Sequence, residues 1–372
     1  MINVLIGNIF DSNAETLVNT VNCVGVMGKG IAKKFKKRYP DMYKQYKKKC
    51  ERNEVKIGEP YLYKTLKGPR IILFPTKVHW RQNAKYKDII KGLDIFRNKY
   101  KKWGIKSVAF PPLGCGNGGL DWSYIGPIMY GKLNDLDIDI ELYAPYGTEK
   151  HQITEEFLNK KININKIKNN LRLKIKPEWI VILEIIRNLR NKKYTKPVGR
   201  TIFQKICFVA DQAGIADFNF KKGSYGPFSR QIKPILATLA NDNIIKEKQK
   251  GRMIELKLDE NFQIYEKKYK NRIKENHDII NKISDLFQRI KNTEQAEEVT
   301  TVLWIEKELK KMKSGDITDS QVIENIIKWK PEWEDEEKLS NIYEAIINLN
   351  LLGWTNITIQ NKKVKNYIRS SI

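Results

Sequence analysis

From residue 1 to about 147, short apolar runs alternate with longer stretches whose apolar residues recur at helical spacing. The runs INVLIGNIF, LVNTVNC, EPYLYKT, RIILFPTK, SVAFPPLG and IDIELYAP predict strands, and residues 31–50, 86–103 and 120–133 predict helices. That order predicts an α/β sandwich whose sheet is largely buried between helices. Around residues 148–176 the pattern gives way to an Asn/Lys-rich stretch, NKKININKIKNNLRLKIKP, which marks a boundary. Helical spacing returns in PEWIVILEIIRNLRN, RTIFQKICFVADQAG and SRQIKPILATLANDNI, followed by two short strands, KEKQKG and RMIELKL. Three helices and a hairpin in that order fit a winged-helix-like module, and the remainder reads as mainly helical. The expected division is a domain over residues 1–150, a linker over 151–176, a winged-helix-like module over 177–262 and a helical region over 263–372.

Charge changes this picture by pointing at partners. Of the 372 residues, 69 are Lys or Arg and 43 Asp or Glu, a formal net charge of +26. Such an excess suits polyanions, nucleic acid before an acidic membrane surface, although general solubility of a Lys-rich chain explains it too. The sign reverses in residues 294–346, where acidic residues outnumber basic ones two to one. Cys23, Cys50, Cys115 and Cys207 are scattered, which predicts reduced thiols and a cytoplasmic protein, and three histidines make no metal cluster. No apolar run approaches the roughly 18 residues of a membrane span, and the first ten residues do not form a leader, so the chain is expected to be soluble.

Two glycine-rich loops carry the candidate chemistry. Each follows an apolar run and precedes a helix: Gly25-Val-Met-Gly28-Lys-Gly30 and Gly114-Cys-Gly116-Asn-Gly118-Gly119. Glycine lets the backbone approach a ligand closely, and a helix start offers free N–H groups and a positive dipole end. The first loop runs GxxGxG, so neither the Walker pattern nor the dinucleotide fingerprint fits. Two such loops at one sheet edge would hold a diphosphate between them.

Four motifs in order, GNIFDS, LVNTVNCVGVMGKGIAKKFKKRYP, FPTKVHWR and PPLGCGNGG, resemble the macrodomain family, and among its members the antitoxin macrodomains of DarG type. The resemblance implies an α/β/α macrodomain with a mixed sheet that binds ADP-ribose. It places Asn8 and Ile9 at the adenine, where the family usually has an acidic residue. An amide oxygen still accepts a hydrogen bond from an amine but brings no charge. The resemblance assigns Thr20, Val21 and Asn22 to the distal ribose and Gly28, Gly30, Ile31, Ala32 and Lys33 to the diphosphate. Gly114, Cys115, Gly116, Asn117 and Gly118 close over the phosphates and ribose, with Thr76 beside them. Lys77 is the implied catalytic residue, beside the anomeric carbon. Related members pair their lysine with an acid in the second loop; here Gly118 stands at that position and Asp121 is the nearest acid, so Lys77 is expected to act largely alone.

The implied reaction is removal of ADP-ribose from thymidine bases of single-stranded DNA, with no cofactor. His79, Trp80 and Arg81 are the candidate DNA contacts, Trp80 as a stacking surface and Arg81 as a cation. The implied partners are ADP-ribosylated single-stranded DNA, ADP-ribose and a DarT-like transferase toxin held by the C-terminal region. Residues 225–229, YGPFS, are the distinctive part of that region and also read as a turn before a helix. A different class of function stays open at this point: an ADP-ribose reader without catalysis, fused to a DNA-binding winged-helix regulator.

Overall fold

The computed structural model describes residues 1–360 apart from 66, 163–164, 166, 168–173, 193–195, 252 and 313–314. The central part of the expected linker therefore lies outside the described residues. The chain forms two compact units, Met1–Ile175 with Lys233–Gln249, and Lys176–Ile232 with Lys250–Ile372.

The first unit is built on a six-stranded sheet of β1 (Ile2–Ile6), β2 (Thr16–Asn22), β3 (Tyr61–Tyr63), β4 (Arg70–Lys77), β5 (Ser107–Phe110) and β6 (Asp139–Ala144), in the order β1-β6-β5-β2-β4-β3. Only the edge strand β3 runs antiparallel, against β4, so the sheet is mixed as expected. Between the strands lie α1 (Gly30–Arg38), α2 (Pro40–Glu51), α3 (Tyr86–Lys99) and α4 (Trp122–Leu133). The helix expected over 31–50 is two helices, because Pro40 has no N–H to continue α1 and instead opens α2 at its first position. The first apolar run likewise stops short as a strand: β1 ends at Ile6 and Ile9–Asp11 form a 3-10 turn.

Both faces of the sheet are covered, since successive strand residues point to opposite sides. Leu17, Val21, Ile71 and Leu73 pack with Phe35, Met42 and Tyr46 of α1 and α2. Val18, Ile72 and Phe74 pack with Ile89, Leu93 and Phe96 of α3 and Ile125, Met129 and Leu133 of α4. The result is three layers, α/β/α. The close approach of α3 to β4 depends on Gly92, whose position would put a Cβ 2.5 Å from Phe74 Cε1. Gly92→Ala is expected to lower unfolding stability by about 1–3 kcal/mol through overpacking, despite the better helix propensity of alanine, and a urea melt checks it.

The second unit is mainly helical. It contains α5 (Pro177–Asn191), α6 (Arg200–Gln212), a hairpin of β7 (Lys221–Gly223) and β8 (Gly226–Phe228), and the helices Phe262–Lys268, Lys270–Glu275, His277–Arg289, Thr293–Met312, Asp319–Trp329 and Glu336–Leu351. The YGPFS stretch begins in the turn of that hairpin. Two buried lysines hold it: Lys205 donates to the carbonyls of Tyr225 and Pro227, and Lys330 donates to Ser224 O at 2.8 Å and Glu297 Oε1 at 2.6 Å. Burial draws the Lys205 ammonium down to about 8, against the pull of Glu297. In the acidic segment, Glu298 and Glu306 are buried and paired with Lys338 and Lys310, whereas Glu332, Glu334, Glu336 and Glu337 face solvent.

Candidate active site

β2, β4 and β5 are neighbouring parallel strands, so their carboxyl ends and the loops that follow lie along one edge of the sheet. Open parallel sheets form ligand crevices there.

The first glycine loop is shaped by Asn22, the last residue of β2. Its Oδ1 accepts the N–H groups of Val24 at 3.0 Å and Val26 at 3.3 Å, and its Nδ2 donates to Val26 O at 2.6 Å. The Tyr46 hydroxyl donates to Asn22 O at 2.7 Å from beneath. Asn22 thus has a structural task beside the ribose contact expected of it, and Tyr46 supports it, which no local motif announced. Gly25 and Gly30 take positive φ values of 75° and 59°. Gly28 and Gly30 are exposed, and Ile31 and Ala32 are half-buried at the start of α1. The side chain of Lys29, the residue before α1, makes no capping bond and Lys33 N turns back to Lys29 O at 3.4 Å, so Gly30, Ile31 and Ala32 present the N–H groups and dipole end that suit an anion. Thr20 is half-buried on β2 beside buried Val21, and Thr76 on β4 is buried with its hydroxyl 3.4 Å from Val21 O.

The second loop folds back on itself. Leu120 N donates to Gly114 O at 3.1 Å, Gly119 N to Gly116 O at 3.2 Å and Cys115 N to Pro112 O at 3.2 Å. Gly116 and Asn117 are exposed at its tip, and burial pushes the Cys115 thiol well above its ordinary range, which keeps it protonated and unreactive. The two loops approach each other: a Cβ on Gly30 would lie 3.3 Å from Asn117 Nδ2. Asp121 is engaged as the cap of α4, accepting Ser123 N at 2.9 Å.

Lys77 ends β4, the strand beside β2. Its Nζ donates to Asn117 O at 2.8 Å and to Trp80 O at 3.3 Å, so an exposed ammonium bridges the strand end and the second loop. The following residues form a compact turn in which Gln82 Oε1 accepts His79 N at 3.0 Å and His79 Nδ1 accepts Arg81 N at 3.2 Å. Burial, with Arg81 and Lys77 adding to it, lowers the His79 pKa, so the ring is neutral at pH 7. The Arg81 guanidinium lies 4.4 Å over the ring of Trp80, which is 39% exposed. Together they place a partly exposed aromatic ring and a cation three and four residues after Lys77. At the other end of the sheet edge Asn8 donates to Asp11 Oδ1 at 3.0 Å, while Ile9 is buried in the core.

Residues 18–129, from β2 to α4, match the family described as Macro domain. Over 242 residues the chain is 37% identical to the DNA ADP-ribosyl glycohydrolase of Mycobacterium tuberculosis, covering 62% of this chain and 64% of that protein. Over 157 residues it is 41% identical to a DNA ADP-ribosyl transferase-DNA ADP-ribosyl glycohydrolase fusion protein of Thermosipho africanus, covering 37% of this chain and 40% of that one. Among solved structures, the macrodomain of Mycobacterium tuberculosis DarG is 47% identical, with 39% of this chain and 98% of that chain covered and a TM-score of 0.38. The matched part spans just under two thirds of the Mycobacterium glycohydrolase. By its α/β/α sheet, its two glycine loops and this match from β2 to α4, this part of the chain is a macro domain.

Proposed function

We propose that this chain removes ADP-ribose from thymidine bases of single-stranded DNA by hydrolysing the N-glycosidic bond, and that its C-terminal region binds and inhibits the cognate DNA ADP-ribosyltransferase, a DarT-like toxin. The observation that carries the first part is the Lys77 ammonium at the sheet edge, bonded across to Asn117 O of the second glycine loop. The names borne by the relatives, a DNA ADP-ribosyl glycohydrolase and a transferase–glycohydrolase fusion, support the same reaction and the same partner.

In this reading the diphosphate lies between Gly28–Lys33 and Gly114–Gly118, met by backbone N–H groups and the start of α1. Thr20, Val21, Asn22 and Thr76 line the distal ribose, and Asn8 and Ile9 take the adenine. Hydrolysis gives the water hydroxyl to the anomeric carbon and the proton to the departing base nitrogen. Lys77 stabilises the charge that leaves with the base or acts on the sugar as base or nucleophile. Trp80 and Arg81 hold the unpaired base and its backbone, with neutral His79 shaping the turn beneath them. The reaction involves ADP-ribose, DNA and water, and no cofactor. Release of ADP-ribose from a modified single-stranded thymidine oligonucleotide by the full chain is the test.

The same proposal divides the chain into a macrodomain over 1–150, a linker over 151–176, a winged-helix-like module over 177–262 and a toxin-binding helical region over 263–372. It places the protein in the cytoplasm; among the described residues no helix is long and apolar enough to cross a membrane. The exposed carboxylates of Glu332, Glu334, Glu336 and Glu337 offer a DNA-modifying toxin a stand-in for phosphate. The full chain carrying Lys77→Ala is therefore expected to suppress DNA modification by the toxin when mixed with it in equimolar amount. Unimpeded modification in that mixture would refute the inhibitory part.

A further inference from the structure

The turn that follows Lys77 is held from far along the chain. Residues 82–86 make four hydrogen bonds with the segment Lys233–Gln249, which belongs to the same compact unit although it lies some 155 to 165 residues downstream. Gln82 Nε2 donates to Glu247 O at 2.9 Å, and the Glu247 carboxylate accepts Asn83 N at 2.9 Å. Asn241 Oδ1 accepts Tyr86 N at 3.2 Å and its Nδ2 donates to Ala84 O at 3.3 Å. Tyr86 is the first residue of α3, and Lys85 before it provides no side-chain cap. Asn241 therefore caps α3 from another part of the sequence, as a local Asn or Asp does at most helix starts.

The grip reaches the second glycine loop as well. Ala84 N donates to Gly118 O at 2.9 Å, and the Cβ of Ala237 lies 3.4 Å from where a Cβ on Gly119 would be. The turn needs such outside support, since the buried side-chain amide of Asn83 has neither its nitrogen nor its oxygen hydrogen-bonded. An unsatisfied buried amide favours rearrangement unless the backbone beside it is fixed.

We propose that Asn241 and Glu247 are positioning residues of the hydrolytic site: they fix the 82–86 turn and, through Ala84 and Gly118, the spacing between Lys77 and the second glycine loop. This rests on the glycohydrolase reading above. It assigns to the segment 233–249 a part in the reaction of a macrodomain whose own sequence ends about ninety residues earlier. Misplacement by about 1 Å of a group that acts on a reacting centre costs up to about a hundredfold in rate. Binding of free ADP-ribose depends on the glycine loops and the start of α1, and the second loop keeps its own closure from Leu120 N to Gly114 O when the turn loosens, so affinity is affected less.

The full chain carrying Asn241→Ala and Glu247→Ala together is expected to lose about ten- to hundredfold in kcat for oligonucleotide cleavage, with the Kd for free ADP-ribose within about threefold of the unaltered chain. Glu247→Gln alone keeps an acceptor oxygen for Asn83 N and is expected to retain most of the rate, where Glu247→Ala alone is not. Amide hydrogen exchange in residues 82–86 is expected to quicken at least about tenfold in the double variant while the core strands stay protected. An unchanged kcat, or exchange in 82–86 that does not change, overturns the proposal, as does Glu247→Gln failing as badly as Glu247→Ala. Should the double variant not fold, the single variants carry the same readings. If the unaltered chain cleaves nothing, the glycohydrolase reading fails, and the exchange measurement alone decides whether the segment holds the turn.

Discussion

Replacing Lys77 by alanine is expected to abolish release of ADP-ribose from modified thymidine oligonucleotide, with kcat falling by a factor of about a thousand or more and affinity for free ADP-ribose little changed. The expected size follows from the role. A positioned side chain that transfers a proton contributes about 10²–10⁴ in rate, and loss of a nucleophile removes at least as much. The small change in affinity follows from geometry. Lys77 Nζ donates to Asn117 O and Trp80 O, while the groups proposed to face the diphosphate are the loop N–H groups and the first turn of α1. Lys77→Arg sharpens the result. Arginine keeps the charge yet is never deprotonated in a protein, so it restores electrostatic stabilisation and cannot restore a base or a nucleophile. A Lys77→Arg chain as slow as Lys77→Ala points to chemistry at the amine; partial recovery points to charge. If the unaltered chain binds ADP-ribose and releases none, the hydrolytic proposal falls and a reader of ADP-ribose takes its place.

How much of this was legible in the chain depends on how far each interaction reaches along it. The strands and the crossover helices have one apolar face per period, so Val18, Ile72 and Phe74, or Ile89, Leu93 and Phe96, announce themselves within a few residues. The glycine loops are equally local: Gly25, Gly30, Gly114 and Gly119 stand where φ is positive, and glycine supplies that conformation without strain. Lys77 was legible only as part of the FPTK motif, since nothing in its own surroundings distinguishes it from many other lysines. The engagement of Asn22 with Val24 and Val26 was hidden, because an asparagine after a strand reads equally as ligand contact or loop brace. The β7–β8 hairpin escaped notice because KKG and GPF lack alternating apolar residues; two buried lysines donating to its carbonyls take the place of a hydrophobic face. Asn241 and Glu247 left no local trace at all. They sit at polar positions of a helix end and a strand, and their partners are some 155 to 165 residues away.

Gly118→Ala is expected to weaken ADP-ribose binding by about ten- to a hundredfold and to slow hydrolysis in parallel, measured by calorimetry and by oligonucleotide cleavage on the same preparation. A Cβ at this position would overlap Gly114 O and lie 2.9 Å from Gly114 C and Cα. All three are backbone atoms, so no side-chain rotation relieves the clash, and the loop must open. Opening it stretches the bonds that close it, Leu120 N to Gly114 O at 3.1 Å and Ala84 N to Gly118 O at 2.9 Å. Overpacking of this kind costs about 1–3 kcal/mol, and each 1.4 kcal/mol expressed at the ligand is about tenfold in affinity. Asn117 is the neighbouring residue, so the carbonyl that accepts Lys77 Nζ at 2.8 Å moves with the loop, and rate falls along with affinity. The contrast with Lys77→Ala separates holding from cutting: one variant binds and does not cleave, the other does both poorly. Gly116→Ala separates the two possible causes, since a Cβ there meets no protein atom within 4 Å and φ is not positive, so any loss it brings arises at the ligand. Equal loss in Gly116→Ala and Gly118→Ala would mean that the loop tolerates no side chain against the ligand, and that the Gly114 contact is not what sets its shape.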